Sequence, residues 1–144
     1  MNMLSIAEEL ADHYRTLANV QNELLLTRRS IENIENHISA NVDLSGCKND
    51  TQRRIALQAA YDSSTRLTDL YKHRDSLMTQ ENEIRAIING LEVKFDALKY
   101  DVRSQLANAA LQGRAPTRTS VERTTEAAVS FAQDILDLYG PEIP

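Results

Sequence analysis

Residues 67–102 read LTDLYKHRDSLMTQENEIRAIINGLEVKFDALKYDV, and this stretch decides the fold of the chain. Leucine or isoleucine recurs there at every seventh position, namely Leu70, Leu77, Ile84, Leu91 and Leu98. A second apolar set accompanies that series at Leu67, Ile88, Phe95 and Val102. Such spacing gives an α-helix one narrow apolar face, which is the face that coiled coils bury. The pattern therefore predicts one continuous helix over about 50–112 that needs partner helices.

A matching series earlier in the chain predicts the first partner. Its apolar residues recur every seven positions as Leu10, Leu17, Leu24, Ile31 and Ile38. Ser5 and Glu8 have the spacing of a capping box, in which two side chains satisfy free backbone N–H groups at a helix start. We therefore predict a helix over about 6–40.

The turn formers at 41–48, NVDLSGCK, separate the two series, and Asn49 with Gln52 has the spacing of a second cap. A connection this short makes neighbouring helices antiparallel. The first helix should then cover the second up to about Arg85. Gly113 and Pro116 end the long helix, since glycine suits a C-terminal cap and proline disfavours helix before it.

A third, shorter helix is predicted after Pro116. Thr119 and Glu122 form its capping box, and its apolar face consists of Ala128, Phe131, Ala132, Ile135 and Leu138. The predicted fold is all-α: an antiparallel coiled-coil helical hairpin over 1–115, with a long central helix, and a short C-terminal third helix and tail over 116–144. Both parts should belong to one elongated domain.

Composition and charge agree with this architecture and limit the function. Of 144 residues, only 5% are aromatic and 26% are charged, which is typical of helices that bury one face and solvate the rest. The net charge of -5 argues against a protein that coats nucleic acid with its whole surface. With one cysteine, no signal sequence and no long apolar run, we expect a soluble intracellular protein with no membrane contact.

Catalytic motifs do not emerge from the sequence. It contains no glycine-rich phosphate loop, no nucleophile elbow and no paired cysteines for zinc. His13 lies near the apolar face, and we predict that it shares a polar layer with Arg74 or Glu81, which fixes the helix register. A proton-linked switch at that layer is the alternative interpretation. We expect no enzyme, no cofactor and no metal.

Two groups of basic residues suggest contact with nucleic acid. One group lies at the predicted hairpin turn, and the other lies near and beyond the end of the long helix. The residues are Lys48, Arg53 and Arg54, then Arg103, Arg114, Arg118 and Arg123. In the second group, hydroxyl groups at residues 117–120 could donate hydrogen bonds to phosphate oxygens, and the N-terminus of the predicted third helix favours anions. Solvated charges at helix ends are the plainer interpretation of the same residues.

Residues 48–57, KNDTQRRIAL, and 90–99, GLEVKFDALK, resemble two short motifs of small coiled-coil hairpin accessory proteins of phages and prophages. The resemblance covers 48–99 and does not extend to the C-terminal helix. It implies a phage accessory factor without catalysis of its own, in the cytoplasm of a bacterial host. Such a factor would act in DNA metabolism or against a host defence or DNA-processing factor.

Apolar residues outside the sevenfold series predict self-association. Leu57, Tyr71, Met78 and Ile87 give the long helix a second apolar side, and exposed apolar sides of that length usually mark an interface. We therefore predict a homodimer that binds a protein partner. A DNA-binding recombination or replication accessory protein is the second hypothesis, and a virion assembly or structural protein is the third.

Overall fold

The computed structural model describes residues 2–113, 126–127 and 129–134. Three helices account for most of them: α1 (Met3–Asn41), α2 (Asp50–Asp62) and α3 (Thr65–Leu111). The described residues 126–127 and 129–134 are helical as well. Helices make up 89% of the described residues, which include no strand. The prediction of an all-α chain is confirmed.

The start of α1 differs from the predicted start. The helix begins at Met3, and the side-chain oxygen of Asn2 accepts the N–H of Ser5 at 2.8 Å. Asn2 is therefore the N-cap, and the capping box predicted at Ser5 is wrong. Asparagine is as good a cap as serine, and the earlier start allows Met3 to bury its side chain.

The single helix predicted over 50–112 is wrong as well, because it is interrupted at Ser63 and Ser64. The N–H of Ser63 bonds to Ala59 O, and the N–H of Ser64 bonds to Tyr61 O, which closes α2. The hydroxyl of Ser64 then accepts the N–H of Leu67 at 3.3 Å and caps α3. Short polar side chains compete with the helix for backbone hydrogen bonds, so two adjacent serines favour such a break.

The caps at the other ends of α2 and α3 agree with the sequence. Asn49 accepts the N–H of Gln52 at 2.8 Å, and the Gln52 side chain accepts the N–H of Lys48 at 2.7 Å. At the end of α3, Gly113 has a φ of 70°, a left-handed conformation that glycine adopts without strain.

The chain packs as two compact units, of which unit 2 comprises Asn19–Glu81. Within it, α1 runs antiparallel to α3, as shown by hydrogen bonds from Gln21 to Glu81 and from Tyr71 to Glu35. The buried face of α1 includes Leu24, Thr27 and Ile31, and that of α3 includes Leu67 and Leu77. α2 has no buried residue and lies within the connection, so the turn predicted at 41–48 is only the first part of that connection.

Unit 1 comprises Met1–Ala18 and Asn82–Pro144. Its core brings the first half of α1 against the second half of α3, and the described C-terminal helical residues join it through Ala132 and Val129. The buried set is Met3, Ile6, Ala7, Leu10, Ala11, Tyr14, Leu17, Ile88, Leu91, Phe95 and Ala132. The first helix thus covers α3 beyond the predicted limit of Arg85, because α2 takes up residues of the connection and shifts the register.

The packing within each unit is consistent with a helical hairpin. The predicted C-terminal capping residues Thr119 and Glu122, and the apolar residues Ala128, Ile135 and Leu138, lie outside the described residues.

Candidate interaction surface

Polar contacts at the edge of the core hold α1 against α3 in unit 2. The Tyr71 hydroxyl donates to a carboxylate oxygen of Glu35, and the Arg74 guanidinium lies 5.1 Å from the centre of the Tyr71 ring. Burial, followed by the hydrogen bond and charge of Glu35, raises the pKa of Tyr71 to about 12. Glu23 Oε1 and His73 Nε2 lie 2.9 Å apart. The pairs Tyr71–Glu35 and His73–Glu23 therefore join the two helices, whereas Arg74 packs on Tyr71 within α3.

Unit 1 contains a comparable contact. The Tyr14 hydroxyl, on a buried side chain, donates to Glu92 Oε1 at 2.5 Å. Burial and then the Glu92 hydrogen bond raise the pKa of Tyr14 above its ordinary value. The apolar pattern of the sequence did not indicate this contact, because the partner of a hydroxyl on a distant segment depends on the register of the two helices.

The residues predicted to share a layer with His13 have partners that the apolar pattern did not indicate. Arg74 lies over Tyr71, and Glu81 accepts from Gln21 Nε2 at 3.1 Å. Within 2–113 and the described part of 126–134, no group of three metal-ligating side chains occurs.

The predicted basic residues fall into three situations. Lys48, Arg53 and Arg54 are near or at the N-terminus of α2, where Arg53 Nη1 lies 3.5 Å from Asp50 Oδ1, and all three are exposed. Arg103 is exposed on α3. The remaining three, Arg114, Arg118 and Arg123, lie outside the described residues. Three of the predicted cations that the structure describes therefore lie together at the start of α2, and the fourth, Arg103, belongs to α3 in unit 1.

The residues predicted as an oligomer interface do not share one helix. Leu57 is half-buried on α2, whereas Tyr71, Met78 and Ile87 belong to α3. Tyr71 is half-buried and uses its hydroxyl within unit 2, while Met78 and Ile87 are exposed. An interface through these four residues stays a prediction.

A different apolar surface stands out on α3, within unit 1. We call it the outer stripe, and it comprises Ala86, Gly90, Val93, Ala97, Tyr100, Ser104, Ala107 and Leu111. Its positions alternate in steps of four and three residues, as in a coiled-coil face. None of the eight is charged, and all are exposed.

The largest residues of the outer stripe are among the most exposed apolar residues of the chain. Val93 is 70% exposed, Tyr100 74% and Leu111 86%. At 100° per residue, Tyr100 lies half a turn away from the buried Leu91, so the stripe faces away from the core of its unit. A Cβ added at Gly90 would meet no atom within 4 Å. α3 therefore has one apolar face covered and a second one open.

The sequence carried a signal for the outer stripe. Eight successive positions of a heptad face lack a charge in a chain that is 26% charged. Five of the eight are alanine, glycine or serine, which contribute little to hydrophobicity. A prediction based on large apolar residues therefore selects Leu57, Met78 and Ile87 and misses the outer stripe.

A groove in unit 1 is a second candidate surface. Val102 and Leu106 of α3 line it on one side and Val129 on the other, with Arg103 and Asp134 among the charged residues at its edges. Leu98, Val102 and Val129 also pack against the core, so the groove is part of the contact between α3 and the C-terminal helical residues.

Among the described residues, none of the helices has the length and apolar character that crossing a membrane requires. Comparisons of the chain with protein-family models, with curated proteins and with solved structures found no significant match.

Proposed function

We propose that this chain is a non-catalytic interaction protein that binds other proteins through an α-helical, coiled-coil-type surface. The outer stripe carries the proposal. Once one face of a helix is buried, a second uncharged face that stays in water adds nothing to the stability of the isolated chain. An exposed apolar surface of this kind is typical of a protein interaction site.

The polar contacts of the chain support the same function. Side-chain hydrogen bonds, such as those of Tyr14 with Glu92 and of His73 with Glu23, link α1 to α3. They stiffen the helical scaffold and leave the outer stripe as the surface that a partner would contact. Rigid helices that present such a face suit recognition of a partner helix.

The resemblance of residues 48–99 to phage and prophage hairpin proteins supports a partner in phage DNA metabolism or host takeover. A host defence or DNA-processing factor belongs to that class. Cytoplasmic action follows from the same proposal.

Site-specific photo-crosslinking in bacterial cells tests this function. A photoreactive residue at Tyr100 should give crosslinked protein products, because a bound partner covers this side chain. The same residue at Lys72, an exposed charged position of α3, is the matched control. The proposal fails if Tyr100 yields no product, or only the products that Lys72 also yields.

The exposed cations beside α2 favour a second function, DNA binding. Lys48, Arg53 and Arg54 lie at or near the N-terminus of α2, where the helix dipole attracts phosphate. A mobility shift with single- and double-stranded DNA should then weaken steeply as salt increases. Replacing these three residues by alanine should abolish the shift, whereas Arg28→Ala with Arg29→Ala should preserve it. A shift that both variants keep would contradict this second function.

A further inference from the structure

The outer stripe has an internal symmetry of side-chain size. The first residue of the stripe is matched with the last, the second with the second-to-last, and so on. In each matched pair, one side chain is smaller than the other. The corresponding pairs are Ala86 with Leu111, Gly90 with Ala107, Val93 with Ser104 and Ala97 with Tyr100. Two copies of the stripe laid antiparallel would set each pair in contact across the interface. Alternation of large and small side chains is what allows two helices to pack closely.

The charges beside the stripe have the same symmetry. Lys94 and Asp101 flank it on one side, and Asp96 and Arg103 flank it on the other. All four are exposed. In an antiparallel pair of helices, each flank faces the same flank of the second copy. Lys94 then meets the second copy's Asp101, and Asp96 meets the second copy's Arg103. Two-fold symmetry repeats both contacts, which gives four opposite-charge pairs.

The parallel arrangement fits these residues poorly. In a parallel pair, a residue on one side of the stripe faces a residue on the opposite side of the second copy's stripe. That second residue lies about five positions later in the sequence. Asp96 would then approach the second copy's Asp101, twice. The parallel arrangement would also set Tyr100 against Tyr100 and leave Gly90 against Gly90, so both charge and size favour the antiparallel one.

We propose that two copies of the chain associate through the outer stripe, with their α3 helices antiparallel about a two-fold axis between Leu98 and Lys99. This inference rests on the proposed function and assigns a second copy as the partner at the same surface. Alanine and glycine at the contact allow the helix axes to approach to about 8 Å, the lower end of the ordinary range. Ile87 flanks this interface, whereas Leu57, Tyr71 and Met78 lie in unit 2.

Disulfide mapping tests the direction and the register together. Cys47, the only cysteine, is first replaced by serine, and Val93→Cys and Ser104→Cys are then made in separate chains. In the antiparallel pair, position 93 of one copy faces position 104 of the other, within the roughly 7 Å between Cα atoms that a disulfide allows. Identical positions of the two copies are then about eleven residues apart along the axis, or about 16 Å.

Oxidation of the mixture should therefore give a crosslinked dimer of the two different variants, and neither variant alone should crosslink. Crosslinking of each variant with itself would indicate a parallel pair and overturn the proposal. Equal crosslinking in all three samples would indicate random collision and would overturn it too, as would no crosslinking in the mixture.

Charge reversal provides an independent test by sedimentation equilibrium. Lys94→Glu and Asp101→Lys should each raise the dimer dissociation constant at least tenfold, because each sets like charges face to face twice. The double variant should restore association, because it recreates both opposite-charge pairs in reversed order. Lys72→Glu, an exposed change elsewhere on α3, should have no effect.

A mass that stays at 16.2 kDa throughout the micromolar range would overturn self-association. So would a double variant as weak as either single one. Photo-crosslinking at Tyr100 distinguishes failure of self-association from failure of the proposed function. Products with other proteins but never with a second copy would support an interaction protein and contradict this partner.

Discussion

Leu24→Ala is expected to destabilise the chain far more than Leu26→Ala, two residues away on α1. Leu24 is 4% exposed and Leu26 is 53% exposed. Complete burial of a leucine side chain contributes about 1.5–3 kcal/mol, and the cavity left in a core raises the cost of Leu→Ala to roughly 2–5 kcal/mol. For Leu24 we therefore expect a loss of about 3 kcal/mol. For Leu26, half of whose surface is already in water, the loss should be at most about 1 kcal/mol, since alanine also favours the helix.

Urea unfolding followed by far-UV circular dichroism measures both losses at one protein concentration. With a slope of about 1–3 kcal/mol per molar urea, Leu24→Ala should lower the midpoint by roughly 1–3 M. Leu26→Ala should shift it much less and leave the slope unchanged. The pair is matched in residue type, helix and substitution, so differences in helix propensity cancel. Equal losses would refute the assignment of the buried face of α1.

Three further predictions concern single contacts. Tyr14→Phe should cost about 1–3 kcal/mol in urea unfolding, because it leaves the Glu92 carboxylate without its donor. Tyr71 should ionise near pH 12 in the folded chain, as followed by phenolate absorbance, since its pKa is raised from about 10. The protonated Tyr71 hydroxyl therefore makes its full contribution to the free energy of unfolding below pH 10. That contribution is lost as the pH rises from about 10 to about 12. Ser64→Ala should cost about 0.5–2 kcal/mol, because the N–H of Leu67 loses its cap.

Each of these predictions has a matched control. For Tyr14 the control is the same substitution in a Glu92→Ala chain, where it should cost much less; an equal loss in both backgrounds would contradict the contact. Glu35→Gln removes the charge beside Tyr71 and should lower the pKa of that tyrosine; an unchanged titration would assign the whole shift to burial. Ser30→Ala changes an exposed serine inside α1, and a cost as large as that of Ser64→Ala would show that Ser64 is not a cap.

Local features of the chain were predictable from the sequence. Leu10, Leu17 and Leu24 are buried as the sevenfold spacing requires, and Asn49 caps α2 with Gln52 beside it. Both patterns depend on residues within one or two helical turns. Periodicity decides which face of a helix is apolar, and cap geometry decides where its backbone hydrogen bonds end.

The break at Ser63 and Ser64 had a local signal that the apolar series outweighed. Leu67 and Leu70, directly after the two serines, belong to the apolar series from which the long helix was predicted. The pattern therefore favoured one helix across the break. The two serines satisfy backbone groups at the end of α2 and at the start of α3, which offsets the hydrogen bonds that a continuous helix would make.

The sequence by itself determined that this chain is helical and which side of α1 is apolar. Only the tertiary structure decided which part of α3 lies against α1, and hence that Tyr14 meets Glu92 and Tyr71 meets Glu35. It also decided that the outer stripe, from Ala86 to Leu111, is the exposed one of two uncharged faces on α3. A heptad pattern repeats along the helix, so it admits several registers and more than one buried face. The length of the connection, the break before α3 and the fit of distant side chains select among them.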